Sequence, residues 1–324
     1  MLILYLLAYL EGKRNKTYIE YMQKELKEKF PEWCGDTSKE YSLILSDDID
    51  SLASCYIQNR LFGRNVEYFM DFNSSYIDEN GWRIDCQKVY RTKNKTENNV
   101  IGIDIAIEGD GWYTWDNHVT RISSKDNYNT ESANLNTING TNYFNYYDKK
   151  FAGSTLITML SYYSDKIDIS KWSEEMKMIL CCTDSLYTCF DVWKRDFRPV
   201  QRKYLKELEM SELIELMEFH VAKNKKRDFE ELKQKYNLDS KIYLNPHTHK
   251  LETKIDLFGL SELFKMDLSL PDEEFEDFKI YDKHVHYGYV NNKESLCTGN
   301  TKALFNLALV KKDMIIYSTR NIIA

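Results

Sequence analysis

The sequence predicts an α/β fold, a largely parallel sheet flanked by helices, with a smaller C-terminal α+β domain. Three observations predict it. Apolar runs of strand length alternate with stretches of helical spacing, the pattern of βαβ units. The first of those runs breaks into an acidic loop that opens a helix, as chains do at the carboxyl edge of a parallel sheet. From about Pro199 the texture changes to charged helix and then to short β-rich runs.

Residues 1–10 (MLILYLLAYL) are apolar but too short to cross a bilayer, and no basic region or small-residue cleavage site flanks them. They read as a core-packing helix, with a membrane-surface anchor as the alternative. Tyr18, Met22, Leu26 and Phe30 stand four apart, one face of an amphipathic helix ending near Pro31, so residues 1–38 form an N-terminal helical cap. YSLIL (41–45) is a strand that stops at Ser46-Asp47-Asp48. Helical spacing follows from Ile49 through Leu52, Cys55, Tyr56 and Leu61 until Gly63 ends it. Residues 66–70 and 100–107 are further strands, and 153–163 and 174–182 are helices, completing an α/β domain over 39–198. Residues 199–238 form a helical connector. A C-terminal α+β domain over 239–324 holds β-rich runs at 241–245, 249–255, 278–290, 303–310 and 314–318.

With 44 Lys+Arg against 51 Asp+Glu, the net charge of -7 gives no global attraction for a polyanion, so nucleic-acid contact needs a local basic patch or a metal. The dense basic run, Lys223-Asn224-Lys225-Lys226-Arg227, reads as a solvated helix end or as a backbone contact. Seven cysteines, an odd number without CxxC spacing, suit reduced thiols of a cytoplasmic protein. The 24 tyrosines offer stacking platforms for bases or simply serve as core aromatics. There is no P-loop, dinucleotide fingerprint, nucleophile elbow or tandem repeat.

Four acidic segments are placed to meet at the carboxyl edge of the sheet: Asp47-Asp48-Ile49-Asp50, Asp104, Asp116-Asn117-His118 and, at the end of the apolar helix containing Ile179 and Leu180, Asp184. Carboxylates this close repel, and a hard divalent cation, which prefers oxygen ligands, relieves the repulsion. The plainer alternative is that Asp48 and Asp50 only cap the helix at Ile49. His118 has a plainer alternative too, as a structural histidine in a loop.

In their order these segments resemble the DHH phosphoesterase superfamily, from about Tyr41 to Cys189. The first family motif, His-x-Asp-x-Asp-Gly, matches Ser46-Asp47-Asp48-Ile49-Asp50-Ser51, and the lone aspartate matches Asp104. The Asp-His-His triplet matches Asp116-Asn117-His118, and the fourth motif matches Asp184. Ala152-Gly153-Ser154-Thr155 also looks like the start of the family helix before the fourth motif. The sequence departs from the pattern at Ser46 and Asn117, which stand where the family has histidines.

The resemblance implies Mn²⁺ or Mg²⁺ held by Asp48, Asp50, Asp104 and Asp184, with Asn117 offering a carbonyl oxygen in place of an imidazole. It implies that His118 contacts the substrate phosphate and that Asp116 orients the loop and the histidine. It further implies phosphodiester hydrolysis on a nucleotide, a short oligonucleotide or another small phosphodiester, with no membrane partner. The rival is a DHH-like module that has lost catalysis through Ser46 and Asn117 and binds a nucleotide or a protein. A third possibility is a single structural Mg²⁺ or Ca²⁺. Lys302 and Arg320 weakly resemble the substrate-binding features of the family's associated domain, or are surface residues. His284 and His286 share one strand face, as a metal pair or by ordinary alternation, and His247 and His249 carry the same ambiguity.

Overall fold

The computed structural model describes residues 22–93, 98–109, 111–191, 196–222, 226–297 and 302–321. The apolar stretch 1–10, Tyr18, Lys223 to Lys225 and Thr298 to Thr301 lie outside the described residues.

β1 (Tyr41–Leu45) is buried along its length, as a central strand covered on both faces must be. Asp48 caps α1 (Ile49–Phe62) by accepting the Ser51 N–H, and Gly63 ends the helix in the left-handed region at φ 68°. β2 (Val66–Ile77) returns parallel to β1. β3 (Arg83–Thr92) folds back antiparallel on β2 through a turn in which Asp78 accepts the Asn80 and Trp82 N–H groups. β4 (Asn99–Ile103), β5 (Tyr113–Trp115) and β6 (Ser132–Ala133) then extend the sheet, all parallel, on the other side of β1.

The helical region follows: α2 (Thr155–Tyr162), α3 (Glu174–Cys182), α4 (Phe197–Glu207), α5 (Ser211–Ala222) and α6 (Lys226–Lys235). A small hairpin of β7 (Ile242–Leu244) and β8 (Leu251–Thr253) precedes α7 (Leu257–Phe264). The chain closes with β9 (Phe275–Tyr287), β10 (Lys302–Lys311) and β11 (Met314–Asn321).

The nine-stranded sheet runs β10-β11-β9-β3-β2-β1-β4-β5-β6. It is mixed, which corrects the expectation of a largely parallel sheet: the β2-to-β6 half is parallel, whereas β3, β9, β11 and β10 pair antiparallel. The physical cause is the length of β2, which continues beyond the apolar run at 66–70 and ends in a tight turn, forcing β3 back alongside it. β9, β10 and β11, expected within a smaller C-terminal domain, continue the same sheet through β3. The sheet also curls: Glu108 N–H donates to Phe305 O at 2.8 Å, Leu307 N–H to Ala106 O at 3.1 Å and Leu309 N–H to Val119 O at 2.9 Å. β10 therefore reaches round to the segments that follow β4 and β5.

The main core lies between the parallel half and the helices and includes the fully buried Phe69, Trp115 and Phe151. Each such side chain contributes about 1.5–3 kcal/mol by leaving water. A smaller cluster, with Ile44, Met70 and Ile105, fills the inside of the curl, where Tyr281 stacks on Phe305 with centroids 3.8 Å apart. No helix among the described residues is long and apolar enough to cross a membrane.

Candidate metal centre

β1 sits where the chain's progression reverses, with β2 on one side and β4 on the other, so the loops after β1 and β4 diverge and leave a crevice. Asp47 and Asp48 follow β1, Asp104 follows β4 and Asp116 follows β5. The expected run 100–107 ends as a strand at Ile103, because Asp104 adopts a left-handed conformation at φ 57°. Ser51 ties the first two loops together: its hydroxyl accepts the Ser46 N–H and donates to Ile103 O, both at 2.8 Å.

Asp104, Asp116 and His118 converge so that one ligand atom from each lies within 4.8 Å of the others. Asp116 is buried and accepts from His118 Nδ1 at 2.6 Å with one oxygen and from Asn134 Nδ2 at 2.7 Å with the other. Asn134 also donates to His118 O, and the neighbouring buried Asn136 donates to Asn117 O, so two amides hold the whole triplet. Thr155 links the other carboxylates. Its N–H donates to Asp50 Oδ2 at 2.8 Å and its hydroxyl to Asp104 Oδ1 at 2.9 Å. The second Asp50 oxygen accepts the Leu156 N–H at 2.8 Å, so Asp50 receives the N-terminus of α2, a favourable seat for negative charge.

Asp48, Asp104, His118 and Asp184 line one cavity of about 220 Å³, together with Asp47, Lys241 and Lys283. Burial pushes the Asp50 carboxyl well above the usual range, with Asp104, Asp184 and Asp48 adding to it. Burial raises Asp104 likewise, helped by Asp48 and opposed by His118. Asp184 is open to solvent on the cavity side yet enclosed by protein behind. That enclosure and Asp48 raise its pKa, against His118 and the Asn117 bond. Burial alone would depress His118, but Asp116, with Asp104 and Asp184, outweighs it and brings its pKa up to about 9. Asp47 is raised to about 6 by burial, although Lys241 lies 2.9 Å away and opposes the shift. Lys241 reaches the acidic loop because Ile242 N–H donates to Asp47 O, and it also bonds Asp48 at 3.1 Å.

The anticipated residues do not all meet. Asp48, Asp104, Asp184 and His118 share the cavity, and Asp116 backs it. Asp50 joins through Thr155 and the repulsion it exchanges with Asp104, but both its oxygens already serve α2. Asn117 turns its amide nitrogen to Gly153 O at 3.0 Å and to Asp184, so in this arrangement it is a donor rather than the expected oxygen ligand. Lys302 pairs with Asp282 at 2.7 Å and Arg320 is exposed. Neither lines the cavity, because they lie at the opposite end of the β10–β11 pair from Ala308 and Ile316, which do. His284 bonds Thr319 and stacks on Tyr317, and His286 bonds Tyr289 O. His247 and His249 are exposed.

Sequence reasoning missed Asn134, Asn136, Lys241 and Lys283, and gave no role to Ser51 or Thr155, although Ser51 closes the first acidic motif and Thr155 follows the helix-capping Ser154. No protein-family model, curated protein or solved structure matches the chain. The class that fold and site define is an α/β protein with an acidic cavity at the carboxyl edge of its parallel strands.

Proposed function

We propose that the chain is a divalent-metal-dependent phosphoesterase of the DHH type, acting on a short oligonucleotide or another small phosphodiester. The observation that carries this reading is the convergence of Asp104, Asp116 and His118 beside Asp48 and Asp184 at one strand edge. Carboxylate oxygens with a single imidazole suit a hard ion such as Mn²⁺ or Mg²⁺, and the mutual repulsion of Asp48, Asp104 and Asp184 favours one. Asp104, Asp48 and Asp184 would hold it. Such an ion, when bound, supplies Lewis-acid polarisation of a phosphoryl oxygen and a water acidified towards neutrality.

The chain's own groups do the rest. Asp116 holds Nδ1 of His118 and leaves Nε2 for substrate. Asp116, the first of the charges that raise the His118 pKa and not one of the proposed metal ligands, favours the imidazolium, which suits the charge that builds on phosphoryl oxygens. Lys283, which bonds Phe72 O and Asn73 Oδ1, keeps a third N–H for an anionic substrate on the opposite wall.

A second reading, a nucleotide- or protein-binding module without catalysis, is favoured by two contacts. Asn117 caps Asp184 with its nitrogen, and Lys241 already neutralises Asp47 and Asp48. Mn²⁺ titration by calorimetry, alongside hydrolysis of bis(p-nitrophenyl) phosphate and a dinucleotide panel, separates the two. The phosphoesterase reading expects tight Mn²⁺ binding and turnover. It also expects Asp104→Ala to weaken the metal by more than about a hundredfold, beyond the usual effect of outer-shell partners. Absence of both, with a nucleotide still raising Tm, decides for the binding module.

A further inference from the structure

Across the cavity from the carboxylates, Gln87 of β3 and Asn306 of β10 meet inside the curl, with Asn306 Nδ2 donating to Gln87 Oε1 at 2.7 Å. These strands are not neighbours in the sheet, so the contact bridges its concave face. Both side chains line the cavity, yet the residues are only 1% and 4% exposed. One bond uses one half of each amide. Among the described residues nothing takes the other halves, and neither is sealed from solvent, so the Gln87 Nε2 hydrogens and Asn306 Oδ1 open on the cavity. Reversing both amides exchanges their roles and still leaves one donor beside one acceptor.

We propose that Gln87 and Asn306 form a base-reading subsite, which takes the edge of a nucleobase that presents an acceptor beside a donor. This deepens the phosphoesterase reading and rests on it for the placement of the phosphate at His118 and Lys283. A free amide donor and a free amide acceptor in one cavity offer the chemistry by which Asn and Gln amides recognise base edges. Phe72, Val310 and Ile316 line the same cavity and give the ring faces an apolar surface. The polar reading pair and Asp48, Asp104 and Asp184 thus line one cavity. A phosphate ester without a base leaves both amide halves to water, whereas a matching base pairs both.

The test compares ribose 5-phosphate with the four ribonucleoside 5′-monophosphates by calorimetry on the full chain. At least one nucleotide is expected to bind about tenfold or more tighter than the base-free phosphate, the discrimination of one good amide–base pair. Gln87→Met and Asn306→Leu should bring that nucleotide to within about threefold of ribose 5-phosphate. Gln87→Glu and Asn306→Asp, which keep size and remove donors, should change which base is preferred. Equal binding of all five ligands by the wild type, or no binding, overturns the subsite without any variant having to fold. So does a base preference that survives the substitutions. Mn²⁺-dependent hydrolysis of bis(p-nitrophenyl) phosphate, which has no base, is measured separately, so its failure marks the loss of the phosphoesterase reading instead.

Discussion

Asp104 and Glu108 stand on the same short segment after β4, 5% and 7% exposed, and burial raises both carboxyls. Their surroundings differ. Glu108 meets Lys293 at 2.7 Å, and that ammonium is completed by Asn127 O at 2.8 Å, so a buried charge has its counter-charge within the chain. Asp104 meets Asp48, Asp184 and Asp116, with a threonine hydroxyl and His118 on the other side. A buried ion pair that closes on itself is part of the scaffold, whereas a buried acid surrounded by acids suits the cation proposed for this site.

Breaking the closed pair should have the largest effect. Lys293→Met leaves Glu108 buried and unpaired and is expected to cost about 3–5 kcal/mol of stability in urea denaturation. Adding Glu108→Leu should recover much of that loss. Recovery would show that the pair serves structure alone, and its absence would blur the contrast with Asp104.

The open cluster should show itself through pH. Asp47, Asp50, Asp104 and Asp184 have folded pKa values raised above their unfolded values. Their contribution to stability is therefore fully present below the ordinary carboxylate pKa and is lost as pH rises through the raised pKa of each, about 6 for Asp47. His118 has the same sign: its contribution is present below the ordinary imidazole pKa and is lost as pH rises through about 9. Protein kept in chelator should thus lose stability between about pH 4 and pH 7, on the order of 2 kcal/mol from Asp47 alone. Mn²⁺ should flatten the profile at the alkaline end. A chelated protein whose Tm climbs over that interval would contradict the picture of carboxylates raised by burial.

Asp116→Asn probes the boundary between the two kinds of site, since Asp116 touches His118 and Asn134 rather than open solvent. Metal affinity or turnover should fall about 10–100-fold, as for other partners that orient a site. The His118 pKa, followed by NMR, should drop from its raised value. Loss of activity with an unmoved His118 titration would leave Asp116 as a direct ligand instead.

Parts of this arrangement are legible from sequence because they are local. The change from apolar run to helical spacing marks β1 and α1, Asp48 caps that helix and Gly63 ends it. Ser154 announces α2. Asp48, Asp104 and Asp116 follow strand ends, and Asp184 follows the end of α3. β3 escaped notice because its polar residues alternate against an antiparallel partner and produce no continuous apolar run. That omission made the sheet look parallel.

What the sequence determined alone is therefore what short-range physics controls: strand and helix period, caps, and the acidic character of each loop. Tertiary structure decided which of those loops meet, because no local pattern distinguishes a buried amide such as Asn134 or Asn306 from an exposed one. It also brought Lys241 to Asp47 and Lys293 to Glu108 across long stretches of chain. The same residue type, an aspartate or glutamate after a strand, becomes scaffold or site according to the charge that folding delivers to it.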